Sequence, residues 1–379
     1  MKLFDEIQRT FLKEASANEE PYDYYNRSAR KDITIIRELL EDWFSNLPHS
    51  EKFETKKRFK KSFDSVFYEL FLYNFFKKLG FSIIIHPVIK GSSKKPDFLI
   101  KNNDLEIYIE AKICKDKSHE VEATENLKQR FYDTLNKIES PYFMFCIDTF
   151  NLKSTNQPKT KEIVSLIKIK LKELDYYKYL NLANAKNYDS FESIYYSNEE
   201  IDLNLLFLPV KEKAIGKNRR SIGVYPMDFA IGGSKYSIRD SINLKAKRYG
   251  KLDKPYIICV NNLSITSSSC EDIEDAIWGS LAYNLNNNMP IRQNDGVFYN
   301  NNTKKNLNVS GILINKIFPH NIPNSNYWLF QHPFSENELD FMKLGLPFYY
   351  VDNDNRIIKN VGNNLDEIFN INKKWLANS

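Results

Sequence analysis

The segment LEIYIEAKIC at positions 105–114 alternates without a fault: Ile107, Ile109, Ala111 and Ile113 fall in one phase, Glu106, Tyr108, Glu110 and Lys112 in the other. Side chains along a strand point to opposite faces in turn, so this strand has an apolar face that must be covered and a charged face that needs its own reason. Two runs rich in β-branched or apolar residues precede it, FSIIIHPVI and PDFLI, separated by the turn-like GSSKK. A loop at Asn102 and Asn103, or over 101–104, pairs Ile100 with Leu105 and Asp97 with Tyr108. Directly opposed residues share a face, so Asp97 joins Glu110 and Lys112, diagonal to Glu110 at roughly 5 to 8 Å.

The flanking sequence supplies helices. Residues 1–46 read as largely helical, with Ile36, Leu39, Leu40 and Trp43 at helical spacing. A second helix is expected over 51–79. Its first half is basic (Lys56, Lys57, Arg58, Lys60, Lys61), and its second half, FYELFLYNFFKKLG, is apolar with Gly80 as C-cap. Glu69 lies in that apolar half, where a charge is costly unless a metal or Lys112 pairs it. After the alternating strand, a helix over 122–138 and the strand SPYFMFCID complete the order helix, three strands, helix, strand. A polar connection (151–160) and an amphipathic helix (161–177) lead to a second structured half from about 191, with strands in IDLNLLFLPV, SIGVYPMDFAIG, PYIICVN and NVSGILINKI. The resulting division is an N-terminal helical segment (1–50), a core (51–150), a linker with a helix (151–190) and a C-terminal α/β region (191–379). KIESPYFMFCI and KLDKPYIICV echo each other, each placing a helix end, a turn and Pro-Tyr before a buried strand.

Two carboxylates at the separation of Asp97 and Glu110 repel each other unless a cation lies between them, and a hard divalent ion is the usual partner of oxygen ligands. Lys112 flanks the same spot. A metal that polarises a phosphoryl group and activates water, beside a cation that stabilises developing charge, is what phosphodiester hydrolysis requires. At these residues the chain resembles the PD-(D/E)xK superfamily, the restriction-endonuclease-like nucleases. Glu69 stands in the helix ahead of the sheet, Pro96 and Asp97 open the second strand, and Glu110, Ala111 and Lys112 form ExK on the third. The resemblance implies an α/β fold with a restriction-endonuclease-like core, a central mixed sheet flanked by helices. It further implies that Asp97, Glu110 and the Ala111 carbonyl hold Mg²⁺ (or Mn²⁺), that Lys112 orients or activates water, and that Glu69 assists. Gln129 and Tyr132, three apart, depart from the QxxxY spacing of the RecB-like exonucleases.

The charge balance, 54 Lys plus Arg against 49 Asp plus Glu, excludes a polybasic binder, so nucleic-acid affinity needs a local patch. Arg239, Lys245, Lys247 and Arg248 form the most basic window of the second half and are the candidates for phosphate contact; a solvated helix face is the competing reading. Four cysteines without a CxxC pair and five scattered histidines disfavour a zinc site. No apolar stretch approaches a membrane span and no export signal is visible, so a soluble, cytoplasmic protein is expected. The leading reading is a metal-dependent endonuclease with DNA favoured over RNA, acting as a homodimer or beside a partner protein in defence or repair. The alternative is a nucleic-acid-binding or scaffold subunit with an inactive nuclease core.

Overall fold

The computed structural model describes residues 1–379 apart from 17–18, 90, 116–118, 217–219, 227–233, 265–269, 284–289, 301, 353–355 and 378–379. In chain order, helices α1 (Pro21–Arg27), α2 (Lys31–Ser45), α3 (His49–Lys61) and α4 (Phe63–Lys78) precede strands β1 (Ser82–Ile85), β2 (Phe98–Lys101) and β3 (Glu106–Cys114). Next come α5 (His119–Asn136), β4 (Phe143–Leu152), α6 (Lys161–Glu173), α7 (Tyr176–Asn184), β5 (Ser193–Ser197), β6 (Ile201–Pro209) and β7 (Ile222–Val224). The chain continues through α8 (Ser234–Ala246), β8 (Tyr256–Asn262), α9 (Cys270–Trp278) and two short hairpins, β9 (Leu281–Tyr283) with β10 (Pro290–Arg292) and β11 (Tyr299–Asn300) with β12 (Thr303–Lys304). It ends with β13 (Gly311–Asn315), β14 (Tyr327–Gln331), β15 (Phe348–Val351), β16 (Ile357–Asn360) and α10 (Leu365–Phe369).

These elements form two compact units whose boundaries differ from the expected ones. The first comprises 1–13, 20–116 and 231–379; the second comprises 14–19 and 117–230 and interrupts the first in sequence. The strand at 143–152, expected to complete the core, belongs instead to the second unit's four-stranded sheet, ordered β5-β6-β4-β7. The first unit's sheet is completed by β8, the later of the two look-alike segments. The burial patterns explain the difference. Strand β4 alternates between buried and less buried residues, as an antiparallel strand with one wet face does, whereas every residue of β8 is buried. Of the strand expected over 221–232, Ile222–Val224 forms, and 227–232 lie outside the described residues.

The first unit is α/β, with a large mixed sheet of order β1-β2-β3-β8-β13-β14-β15-β16 flanked by helices. Strands β1, β2 and β3 are antiparallel neighbours, while β3, β8 and β13 run parallel. On one face the apolar phase of β3 (Ile107, Ile109) packs with α4, α2 and α10 in one core cluster; on the other, Tyr108, Ile258 and Val260 pack with Ile238 and Ile242 of α8. Helix α4 lacks a polar stripe because it is enclosed: eleven of its sixteen residues are buried.

The single helix expected over 51–79 is broken at Ser62, whose φ of −140° and ψ of 59° are not helical. The break has a consequence for the site, because Arg58 and Glu69, eleven residues apart, would stand roughly 16 Å apart on one continuous helix. Helix formation begins only at Pro21, and the segment before it is held by the Glu41 carboxylate, which accepts the Leu3 and Phe4 amides at 2.9 Å each.

Phe71 is fully buried in α4, with ring centroids 6.0 Å from Trp43, 5.6 Å from Phe75 and 5.5 Å from Phe369. Replacement by alanine should cost about 3–5 kcal/mol in urea unfolding. A loss below about 1 kcal/mol would show that this aromatic cluster does not hold α4 to the C-terminal helix.

Candidate active site

The site begins with register. Phe98 pairs with Ile109, Leu99 with Tyr108 and Ile100 with Ile107, leaving 102–105 as a four-residue loop. The expected pairing of Ile100 with Leu105 is therefore corrected by two residues. The Asn102 side chain closes the turn, its Oδ1 accepting the amides of Asp104 and Leu105. A shift of two preserves which residues share a face, and the same register carried one residue beyond the start of β2 puts Asp97 opposite Glu110 rather than diagonal to it. The Asp97 Oδ2 accepts the Ala111 amide at 2.7 Å, which anchors one carboxylate to the strand bearing the other. At the other end of this bend His86, at the positive φ of 50°, donates its amide to the Asp97 carbonyl at 3.0 Å.

The two facing carboxylates are treated very differently. Glu110 is 1% exposed. Its Oε1 is paired with the Lys245 ammonium, with Arg248 Nη1 at 3.5 Å, and its Oε2 accepts the Tyr249 hydroxyl. That hydroxyl also lies 2.9 Å from the Lys95 carbonyl; its single proton favours the carboxylate, the stronger acceptor. Burial and the adjacent Glu110 push the Tyr249 hydroxyl well above the ordinary tyrosine range. Asp97 is only partly buried and has no ion-pair partner among the described residues. Burial first, then Glu110 and Glu69, raise its carboxyl from 3.8 to about 7, against the opposing pull of the Ala111 amide and Lys245.

Glu69 is held by Arg58, 2.5 Å away across the α3–α4 break, rather than by Lys112. Burial lowers the Arg58 guanidinium, but Glu69 outweighs it, so the net shift is upward. A cavity of about 120 Å³ is lined by Arg58, Glu69, His86 and Asp97 among others. Lys112 lies two residues beyond Glu110 on the same strand face, partly buried and without a hydrogen bond or ion pair to a described residue.

The other assignments separate. Gln129 and Tyr132 belong to the second unit, where Tyr132 is a core residue. Arg239, expected to contact phosphate, is 8% exposed and spends its N–H groups on Asp295, Ser280 and the carbonyls of Asp275 and Ala276. Of the same window, Lys245 is enclosed on Glu110, and Arg248 borders Glu110 while remaining half-exposed. Lys247 is exposed. In the basic run of α3, Lys56 and Lys60 pair with Asp5. Tyr249 was not singled out by sequence, although a signal existed. The separation of four between a long polar residue and a tyrosine, missing at Gln129 and Tyr132, occurs at Lys245 and Tyr249, the first in the last turn of α8 and the second three residues past its end.

Among the described residues no group of three or more His, Cys, Asp or Glu side chains forms a metal cage, and no helix is long and apolar enough to cross a membrane. Comparison with protein-family models, curated proteins and solved structures finds no match.

The raised Asp97 carboxyl has a thermodynamic signature. Between about pH 4 and 7 the folded state keeps a proton that the unfolded chain has released, so this group favours folding at low pH, and its contribution fades as pH rises towards 7. In EDTA, Asp97→Asn should therefore melt above the parent at pH 8, with the gain shrinking steadily towards pH 4. A difference in Tm that does not change with pH would show that Asp97 is not held in this way.

Proposed function

We propose that the chain is a metal-dependent nuclease with a restriction-endonuclease-like core of the PD-(D/E)xK kind, hydrolysing phosphodiester bonds of nucleic acid, with DNA as the leading substrate. The carrying observation is that Asp97, one residue before β2, stands at the register position opposite Glu110 of β3 and accepts the Ala111 amide, with Lys112 two residues further on. Element order adds support. With the inserted unit set aside, the chain runs α4, three antiparallel strands, α8, and a strand parallel to β3.

The donor set suits a hard divalent ion. Mg²⁺ is commonly held by one or two carboxylates, water and substrate phosphate rather than by an all-protein cage, so a pair of acids suffices. Asp97 supplies the unmet charge: a carboxylate between two others, with an amide as its only described polar partner. Asp97, Glu110 and the Ala111 carbonyl would hold the ion, which when bound polarises the phosphoryl group and acidifies a water. The protein's own groups do the rest. Lys112 donates to the attacking water or to a phosphoryl oxygen, Tyr249 fixes the orientation of Glu110, and the Arg58–Glu69 pair borders the cavity on which Asp97 opens.

One observation favours the alternative of an inactive core in a binding or scaffold subunit: both Glu110 oxygens already have partners. Incubation of supercoiled plasmid, and in parallel an RNA transcript, with Mg²⁺ or Mn²⁺ separates the readings. Divalent-ion-dependent cleavage is expected, stopped by EDTA. Asp97→Asn and Glu110→Gln should each reduce the rate by about 100-fold or more, on the scale of a lost metal ligand. Full activity in either variant refutes the site.

Lys112→Ala should remove cleavage by a similar factor while calorimetry still detects Mn²⁺ uptake, because the ammonium acts on water and phosphate. Loss of metal binding in this variant, with the fold retained, would make Lys112 a structural residue.

A further inference from the structure

The Lys245–Glu110 pair is the most enclosed ion pair of the site, and the nuclease reading leaves it unexplained. The Lys245 side chain is 13% exposed and that of Glu110 is 1% exposed. The ammonium reaches Oε1 from α8, on the far side of the inserted unit in sequence, and so lies on an oxygen that a metal would need. We propose that Lys245 is the metal's exchange partner: its ammonium holds Glu110 while no divalent ion is bound and gives up Oε1 when one binds. The proposal rests on the metal reading above.

Charge balance supports it. Glu69, Asp97 and Glu110 stand among Arg58, Lys112, Lys245 and Arg248, three acids against four bases, before any ion is added. A divalent ion adds two more positive charges until a phosphodiester and a hydroxide arrive, and in a poorly hydrated site that surplus drives a cation away. Arg58 is retained by Glu69, and Arg248 is a more distant, half-exposed neighbour. Lys245 is the cation seated on the ligand itself, a compact charge on a flexible stem that can swing without disturbing the backbone. Tyr249 keeps its hydrogen bond to Oε2, so the carboxylate stays oriented during the exchange. The pair also explains how the metal-free chain tolerates a fully buried Glu110, since an uncompensated charge there would strongly oppose folding.

The experiment is a calorimetric titration with Mn²⁺ of the full-length parent, Lys245→Met, Lys245→Arg and Asp97→Asn. Lys245→Met should bind at least about tenfold more tightly than the parent because its competitor is gone; Lys245→Arg should bind no more tightly. Equal or weaker binding by a folded Lys245→Met overturns the exchange. If that variant does not fold, the unmodified protein decides by ¹⁵N-lysine spectroscopy, with Lys245 assigned through the arginine variant. Its ammonium signal, sheltered in EDTA, should broaden into solvent exchange at Mg²⁺ saturation. A sheltered signal at saturation overturns the proposal. Should the parent take up no Mn²⁺, the metal reading fails together with this one; should Asp97→Asn abolish uptake while Lys245→Met leaves it unchanged, the exchange alone fails.

Discussion

The parallel pairing of β3 with β8 is the constraint on which the rest of the structure depends. Seven residue pairs, from Tyr108 with Tyr256 to Cys114 with Asn262, align the two strands, and the Tyr108 amide donates to the Pro255 carbonyl just outside them. This pairing makes β3 an interior strand. It also lays α8 over the charged phase of β3, so that Glu110, which on an edge strand would face water, is enclosed and must be given partners. The apolar phase is covered independently by α4, and the two helices compress the sheet from opposite faces.

From this enclosure follows the asymmetry of the two acids. Glu110 receives an ammonium, a guanidinium and a phenol; Asp97 receives one backbone amide and opens on a cavity. Neighbouring carboxylates with such different surroundings let one site contain both an acid enclosed by cationic partners and a group able to hold a proton near neutrality. Here the difference arises from position along the strands: Glu110 lies within β3, where α8 encloses it, and Asp97 lies just before β2, beside the cavity.

Much of this was legible in the amino-acid sequence. The alternation of 105–114 defined both faces of β3, and parity alone put Asp97 with Glu110 and Lys112, so even the two-residue error in register left the constellation intact. The charged helix residue Glu69 was legible as needing a partner. Its actual partner was not, because the break at Ser62 carries no strong local signal and the basic run before it reads equally well as a solvated face. The choice between the two Pro-Tyr strands went to the nearer one, although PYIICV is a continuous apolar run while FMFCIDTF alternates, the difference expected between an interior parallel strand and a half-exposed antiparallel one. The inserted unit concealed this, since contacts across more than a hundred residues leave no periodicity to read. Arg239 shows the converse limit: its position in a basic window said nothing of the buried acceptors that claim it.

The order of synthesis gives the insertion a consequence of its own. A ribosome releases β3 early, yet the strand that covers its free edge and the helix that neutralises Glu110 emerge only after residues 117–230 have followed. During that interval β3 presents an open row of backbone donors and acceptors, the usual template for unwanted pairing between chains. Its charged phase, Glu106, Glu110 and Lys112, places on that row the kind of residue that discourages edge-to-edge pairing.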